Sequence, residues 1–264
     1  MKKILFTSLL IALIILSACG NDTTDQNTLK VGASPLPHGE ILEQIKEDLS
    51  EEGINLEIVE FTDYVKPNLS LSEGELDANF FQHSPYLEDF NKNNDTDLIS
   101  LGSIHLEPLG VYSNNIENID DIEEGNSIAI PSDPTNGGRA LLLLENNGLI
   151  KLDENAGLLA TEEDIIENPK NLEFKPLEAA QIPRSLNDVD LAVINGNYAL
   201  EANLTPTEDA IILEKEDSPY GNILAIRNGD EDRKDLKLLI EALQSEKVKN
   251  FIENNYEGGI IPTF

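Results

Sequence analysis

Short apolar segments alternate with helical patterns along almost the whole chain, and this alternation restricts the fold more than any other feature. Helical patterns occupy 38–53, the region around Arg139, and 231–246. Strand patterns flank them at 29–33, 54–61, 76–81, 105–113, 127–130, 172–177, 189–194, 210–214 and 222–227. Strands that alternate with helices favour an α/β fold, in which we expect mostly parallel sheets.

Two turn-rich stretches indicate a division into two lobes. Turn-forming and acidic residues cluster at 113–126 and at 214–221. If the chain crosses between lobes there, lobe I consists of residues 29–112 and 222–264. Lobe II then consists of residues 113–215, and residues 216–221 form the second crossing. Polar loops within one larger sheet have the same composition, so the pattern alone leaves both arrangements open.

The N-terminus has the pattern of an export signal. Lys2 and Lys3 precede an apolar run at 4–16, and small residues follow. As a helix this run would rise only about 20 Å, which is short of the roughly 30 Å hydrocarbon core of a bilayer. We therefore predict a cleaved signal peptide at 1–18, followed by a polar tether that extends to residue 28.

Cys19 is the only cysteine of the chain and cannot form an internal disulfide. The residues LSAC at 16–19 resemble the lipobox of bacterial lipoproteins, which implies cleavage before Cys19 and lipidation of its sulfur. This interpretation predicts a protein anchored to the outer face of the cell membrane, as Gram-positive surface lipoproteins are. The alternative is a soluble secreted protein with a free thiol.

The chain is strongly acidic, with a formal net charge of -32. Nucleic acid and anionic membrane surfaces are therefore poor partners, because both repel such a surface. The acidity fits either a salty medium, where a Debye length of about 3 Å at 1 M reduces self-repulsion, or an ordinary acidic surface.

Unusual residue clusters follow directly after five of the predicted strands. They cover 34–40, 62–68, 82–87, 131–139 and 195–200. In open α/β sheets, ligands bind beyond the carboxyl ends of the strands. Five such clusters at one edge would form a binding site.

The aromatic residues of these clusters predict an apolar pocket. They concentrate ring surface in a chain that has no tryptophan and is 5% aromatic: Tyr64, Phe80, Phe81, His83 and Tyr86. Rings pack favourably against an apolar side chain, and against a thioether in particular. Since neighbouring strand residues point to opposite faces, at most one of Phe80 and Phe81 faces a ligand, and Phe81 could equally belong to the core.

The segment PSDPTNGGRALLLL, at 131–144, predicts a helix that begins at Asp133 or Thr135 and ends before Gly148. Arg139 lies near the N-terminal end of this helix, where a cation opposes the helix dipole. A guanidinium beside free helical N–H groups can bind a carboxylate with two hydrogen bonds. The alternative is a surface arginine paired with one of the many acids.

Amide side chains complete the candidate site. Asn136, Asn195 and Asn222 lie in or beside the same loops. An amide oxygen can accept from an ammonium group, and the amide NH₂ can donate to a carboxylate, although each asparagine alone is more typical of a turn. Arginine, amides and aromatic rings together predict a binding site for an α-amino acid.

Other chemistries find less support in the residues. His38, His83 and His105 could ligate zinc with a carboxylate, but their spacing matches no short ligand motif, and we predict no metal. The sequence contains no G-x-S-x-G, H-E-x-x-H or G-x-x-x-x-G-K-[ST] motif. We therefore predict neither an enzyme nor a cofactor.

Seven segments in order resemble the methionine-binding lipoproteins of ABC importers, the NlpA-like lipoproteins. The likeness extends from Leu29 to Phe264. The segments are VGASPLPHGEIL, FTDYVKPN, LDANFFQHSPYL, IPSDPTNGGRALLLL, LAVINGNYAL, DSPYGN and GGIIPTF.

This resemblance implies a periplasmic-binding-protein fold, in which two α/β lobes close over methionine and deliver it to a permease driven by an ATPase. It implies that Arg139 holds the ligand carboxylate and that Asn195 and Asn222, with Asn136 beside them, hold its backbone ends. It also implies that the side chain is enclosed by Tyr64, Phe81, His83 and Tyr86. We expect a monomer that binds L-methionine, with D-methionine or a short methionine-containing peptide as alternatives.

Overall fold

The computed structural model describes residues 27–264. The predicted signal peptide, Cys19 and the tether as far as residue 26 lie outside the described residues. Within 27–264, no helix combines the length and the apolar character that a membrane span requires.

The described chain alternates strands and helices. Its strands are β1 (Asn27–Ala33), β2 (Ile54–Glu60), β3 (Ala78–His83), β4 (Leu98–Leu106), β5 (Gly110–Tyr112), β6 (Ser127–Pro131), β7 (Lys151–Leu152), β8 (Ile165–Glu167), β9 (Glu173–Leu177), β10 (Leu191–Ile194), β11 (Ile212–Leu213), β12 (Gly221–Arg227) and β13 (Ile261–Pro262). Its α-helices are α1 (Glu40–Glu51), α2 (Lys66–Ser72), α3 (Ser84–Asn94), α4 (Pro134–Asn146), α5 (Ile182–Ser185), α6 (Gly196–Glu201), α7 (Pro206–Asp209), α8 (Lys234–Leu243) and α9 (Glu246–Asn255). Single helical turns occur at Pro35–Gly39, Ile119–Asp121, Gly157–Leu159, Glu162–Asp164 and Ala179–Gln181.

The first sheet has six strands in the order β13-β4-β12-β3-β1-β2. Helices α1, α8 and α9 cover the face that carries Leu224 and Ile226, and they share one apolar core with it. Helices α2 and α3 pack with Ile223 and Ala225, which alternate with those residues along β12. Both faces of the sheet are therefore covered, because successive strand residues point to opposite sides.

The second sheet has five strands in the order β11-β5-β10-β6-β9. Helix α4 packs its leucines against Ile128 and Val193, whereas α5 and α6 pack against Ala129 and Ala192 on the other face. A small antiparallel pair, β7 with β8, lies outside both sheets.

The expectation of mostly parallel sheets is wrong, because both sheets are mixed. In the first sheet β1 is parallel to β2 and β3, but β12 is antiparallel to β3 and β4. In the second sheet β6 is parallel to β9 and β10, but β5 is antiparallel to β10 and β11. Local alternation identifies the elements, but it carries no information on the direction of a strand such as β12 that returns from another sheet.

The first crossing between the sheets also differs from the expectation. The predicted strand at 105–113 is two strands: β4 ends at Leu106 in the first sheet, and β5 begins at Gly110 in the second. Pro108 has no N–H to donate to a ladder and holds the residue before it in an extended conformation, which suits a crossing. The chain therefore changes sheets at 107–109, earlier than the predicted 113–126.

The second crossing lies between Leu213 and Gly221, inside the predicted stretch 214–221. From the two crossings we propose revised lobes: residues 27–106 with 221–264, and residues 110–213. The alternation of apolar residues continues from His105 to Tyr112. For this reason the sequence pattern predicted one strand there and not a crossing.

Candidate functional site

One small cavity collects all the predicted binding residues. The space between its walls, counted out to the open solvent, is about 330 Å³. Its lining consists of Tyr64, Phe81, Gln82, His83, Tyr86, Glu107, Asn136, Arg139, Asn195, Gly196, Asn197 and Asn222. Four of the five clusters that follow strands contribute to this lining, and the first cluster contributes His38 behind it.

Helix α4 holds Arg139 at the cavity. Asp133 caps the helix by accepting from the backbone N–H of Asn136 at 2.9 Å. The helix is followed by Gly148 at φ +74°, as predicted. Arg139 is 3% exposed, so it is not the surface arginine of the alternative interpretation.

Arg139 nevertheless has an acidic partner. Its Nε donates to Glu214 at 3.0 Å, and its Nη2 donates to the same carboxylate and, at 2.7 Å, to the carbonyl oxygen of Glu107. The guanidinium also lies 4.4 Å from the centre of the Tyr220 ring, where a cation is attracted to the ring face. Within residues 27–264, Nη1 has no hydrogen-bond partner, and it remains available to a ligand.

Asp133, Asn136 and Asn195 form a chain of hydrogen bonds that we call the Asp133 network. Asn136 Nδ2 donates to both oxygens of Asp133, at 3.0 and 3.1 Å, and Asn195 Nδ2 donates to Asn136 Oδ1 at 2.8 Å. Because an ionised carboxylate can only accept, Asp133 fixes the orientation of both amides. Asn195 Oδ1 is buried and has no partner among the described residues.

His38, His105, Glu107 and Asn222 form a second set, the Glu107 network. Both imidazoles direct Nε2 at Glu107 Oε1, from 3.1 Å for His38 and 2.8 Å for His105. His38 Nε2 also lies 3.1 Å from Asn222 Oδ1. When His38 Nε2–H is the donor, the amide oxygen of Asn222 has a partner. The NH₂ group of Asn222 is then the free end of that side chain.

Burial controls the charges of the Glu107 network. It lowers the pKa of His38 to about 4 and that of His105 to about 3, so both rings are neutral at ordinary pH. Burial raises the pKa of Glu107, while His38, a backbone N–H of Asn197 and Arg139 oppose that rise. A cation added beside Glu107 would therefore favour the ionised form of its carboxyl group.

His83 is neutral and has a defined tautomer. Its Nδ1 accepts from the backbone N–H of Tyr86 at 3.2 Å and so caps α3, and its Nε2 lies 3.2 Å from Asn136 Oδ1. Burial is the main cause that lowers the pKa of His83 to about 3, and Arg139 adds to the effect. The ring therefore donates from Nε2–H and presents its apolar faces to its neighbours.

Aromatic rings form the remaining wall. Tyr64 lies 5.9 Å from both Phe81 and Tyr86, measured between ring centres. Phe81 lines the cavity, whereas Phe80 is fully buried in the core of the first sheet. The pleat of β3 thus separates the two phenylalanines, as period-two alternation requires.

The sequence interpretation missed four lining residues. Glu107 was one of many acids, and only its burial distinguishes it. Asn197 and Gly196 adjoin the predicted Asn195, and Gln82 adjoins His83. Gly196 allows close packing, since a Cβ there would come within 2.8 Å of Glu107 Cβ.

The histidines do not form a single cluster. His38 and His105 come together with Glu107 so that all three ligand atoms lie within 4.8 Å, while His83 bonds to Asn136. The sequence spacing gave no sign of the first group, because its members come from a helical turn, a strand and a crossing. Their Nε2 atoms hydrogen-bond to Glu107, and this pairing accounts for their positions without a metal.

The chain matches the family model described as NlpA lipoprotein over residues 29–264. The chain belongs to the NlpA lipoprotein family. A curated relative from Salmonella typhimurium, the D-methionine-binding lipoprotein MetQ, is 43% identical over 96% of this chain and 94% of its own length. The predicted family is thereby confirmed.

Solved structures of related proteins confirm the α/β periplasmic-binding-protein fold. A nutrient-binding protein from Burkholderia cenocepacia, bound to methionine, has a TM-score of 0.87 and 46% identity over 89% of this chain and 100% of that chain. A periplasmic substrate-binding protein of an ABC transporter from Coxiella burnetii has a TM-score of 0.86 and 41% identity, with the same coverage of both chains.

Proposed function

We propose that this protein is the substrate-binding lipoprotein of an ABC importer and that it captures methionine, with L-methionine as the first choice. The observation that carries the proposal is that charged, amide and aromatic groups line the same small cavity. The names of the NlpA relatives support it, since they include methionine-binding proteins and an ABC transporter component.

The lining suits the two ends of the ligand. Arg139 Nη1 and the NH₂ of Asn222 are donors for a carboxylate. Tyr64, Phe81, His83 and Tyr86 offer rings that a thioether chain can contact. Asn136 has donors and acceptors fully engaged, so we assign it the role of positioning Asn195 rather than contacting the ligand.

The mechanism is binding without a chemical step. Tyr64 and Asn222 belong to the proposed first lobe, and Arg139 and Asn195 belong to the second. A ligand that contacts both sides stabilises the closed arrangement by its differential contacts. Release to the permease then requires the lobes to separate.

The proposed anchor is a lipid on Cys19, which would hold the protein on the outer face of the membrane, as in Gram-positive bacteria. The lipoprotein names of the family support this anchor. A lipid tether would keep the binding domain beside its permease.

Calorimetric titration of the full-length chain in detergent tests the function. The chain is first unfolded and refolded to remove any tightly held ligand. We expect one saturable site for L-methionine and much weaker binding of L-alanine, which lacks the thioether chain. D-methionine and a methionyl dipeptide decide between the alternatives, and refolded protein that binds none of the three would contradict the proposal.

A further inference from the structure

A second and larger concavity adjoins the cavity. We call it the crossing groove, because the second crossing, at 214–220, forms one of its sides. The space between its walls, counted out to the open solvent, is about 1090 Å³. Helix α4 forms another side with residues that follow Arg139 at helical spacing and therefore share its face: Leu142, Leu143 and Asn146. Arg139 lines both the groove and the cavity, so its side chain is part of the boundary between them.

Glu214 fixes Arg139 in this boundary. Its carboxylate accepts from Arg139 Nε at 3.0 Å, from Arg139 Nη2 and, at 3.3 Å, from the backbone N–H of Leu109. The backbone N–H of Glu214 also donates to the carbonyl oxygen of Leu109 at 2.9 Å, which joins the two crossings at this point. Glu214 lines the groove but not the cavity. Arg139 is therefore held from the groove side, and moving it would break a largely buried ion pair.

Tyr220 completes the boundary. The centre of its ring lies 4.4 Å from the Arg139 guanidinium and 5.0 Å from the centre of the His83 ring. Arg139 and His83 line the cavity, whereas Tyr220 lines the groove. The boundary thus has two layers, and we call it the groove wall: Arg139 and His83 on the cavity side, Glu214 and Tyr220 on the groove side.

We propose that Glu214 and Tyr220 limit the length of the ligand, by closing the cavity at the end where Arg139 binds the carboxylate. The inference rests on the proposed function and deepens it. A residue joined to the carboxyl group of methionine would have to enter the space that the groove wall occupies. The site therefore selects ligands that end in the carboxylate of methionine itself.

The groove behind the wall could hold such an additional residue if the wall were opened. Its lining offers apolar surface, from Leu142, Leu143, Leu158, Leu213 and Pro219. The exclusion of longer ligands is thus a property of the wall and not of a lack of space beyond it.

Calorimetric titration of the full-length protein with L-methionine and with L-methionylglycine tests the groove wall. We expect L-methionylglycine to bind at least about 100-fold more weakly, because its glycine can be accommodated only if the buried ion pair opens. Comparable affinities of the wild type for the two ligands would overturn the proposal without any variant.

Glu214→Ala and Tyr220→Ala each remove one side chain from the groove side of the wall. In both variants we expect the preference for L-methionine over L-methionylglycine to narrow at least about tenfold, since the glycine can then reach the groove. Arg139 remains in both, so L-methionine should still bind. Tyr220→Ala keeps the ion pair, and it decides alone if thermal unfolding shows that Glu214→Ala does not fold.

Two further variants are the matched controls. Glu216→Ala changes an exposed acid of the same crossing that lines neither the cavity nor the groove, and it should keep the wild-type preference. Tyr220→Phe keeps the ring and removes a hydroxyl that has no hydrogen-bond partner within residues 27–264. It should therefore keep the wall closed where Tyr220→Ala opens it.

The remaining outcomes separate the inference from the function. An unchanged preference in both alanine variants, when folded, would overturn the inference while the methionine function stands. Tighter binding of L-methionylglycine than of L-methionine by the wild type would also overturn it and would favour the peptide alternative. A wild type that binds neither form of methionine nor the peptide would remove the proposed function and the inference with it.

Discussion

The Asp133 network and the Glu107 network place the same residue type in the cavity with opposite polarity. In the first, Asp133 orients Asn136, and Asn136 engages the NH₂ of Asn195, which leaves an oxygen free. In the second, His38 Nε2, which also lies 3.1 Å from Glu107 Oε1, engages the oxygen of Asn222, which leaves the NH₂ of Asn222 free. Whether an asparagine accepts from the ligand or donates to it therefore depends on which end of its amide the surrounding network already engages.

The difference also distinguishes the two proposed lobes. The Asp133 network lies within the proposed second lobe, whereas the Glu107 network joins residues of the proposed first lobe to the crossing at 107–109. Each of the two parts thus presents to the ligand an asparagine of the opposite polarity.

The largest effect should come from Arg139→Ala, which removes the cation at the carboxylate end. We expect L-methionine affinity to fall by about 1.5 to 3 kcal/mol or more, because a charge-assisted contact is lost. The unfolding temperature should also fall, since Glu214 loses its partner. Calorimetry and thermal melting measure the two effects.

Arg184→Ala is the matched control for that variant, because Arg184 is exposed and does not line the cavity. It should bind and melt like the wild type. Unchanged titration of folded Arg139→Ala would remove Arg139 from the site.

The next effect should come from Asp133→Asn, which breaks the Asp133 network at its origin. An amide at 133 no longer fixes the direction of Asn136, so Asn195 loses its defined polarity. We expect a loss of about 1 to 2 kcal/mol in affinity for L-methionine. The melting temperature should change little, because asparagine caps helices about as well as aspartate.

Asp133→Ala removes both the cap and the network, and it should lower affinity and stability together. Asp153→Asn, at an exposed position, is the control for the charge change alone. Full affinity in Asp133→Asn would mean that the orientation of Asn195 does not depend on Asp133.

Acid should weaken binding through the Glu107 network. Burial raises the pKa of Glu107 in the free protein, and a bound ammonium group would lower it again, so binding favours the deprotonated form. Affinity should be constant above the free-state pKa of Glu107 and should fall as pH decreases through it. Burial lowers the pKa of His38 to about 4 and that of His105 to about 3, so these two rings do not cause a loss of affinity at higher pH.

Asp133 acts in the same direction, because burial raises its pKa as well and protonation would disturb the Asp133 network. Glu201, which faces Glu107, has a pKa that burial raises too. Titrations of Glu107→Gln and Glu201→Gln over the same pH range separate the three carboxyls. An affinity that rose on acidification would contradict this assignment.

The smallest effect should come from His83→Ala. The neutral ring contributes packing and one hydrogen bond to Asn136, so we expect a loss of about 0.5 to 1.5 kcal/mol. The preference for L-methionine over L-alanine should narrow, because the aromatic wall is reduced. A preference that stayed the same would exclude His83 from contact with the side chain.

The sequence predicted the α/β class and a set of residues that the fold brings to one cavity. These residues come together for a local reason: Arg139, Asn195 and the aromatic residues lie at or soon after the carboxyl ends of strands, and those ends meet at one edge. The first crossing was misplaced because apolar alternation continues across Pro108. Strand direction was misjudged because β12 returns from the second sheet.

Glu107 and Glu214 could not be selected from the sequence, because their roles depend on partners far along the chain. Glu214 contacts Arg139 across 75 positions, and His38 contacts Asn222 across 184. The end of each asparagine amide that faces the ligand also cannot be predicted from a local sequence pattern. It follows only from the complete hydrogen-bond network around each asparagine.

A crystal structure of the full-length protein with L-methionine tests the opposite polarity of the two networks most directly. The account predicts the ligand nitrogen within hydrogen-bond distance of Asn195 Oδ1 and Glu107, and the ligand carboxylate on Arg139 Nη1 and Asn222 Nδ2. A ligand bound in the reverse direction, with its nitrogen at Asn222 and its carboxylate at Asn195, would contradict it.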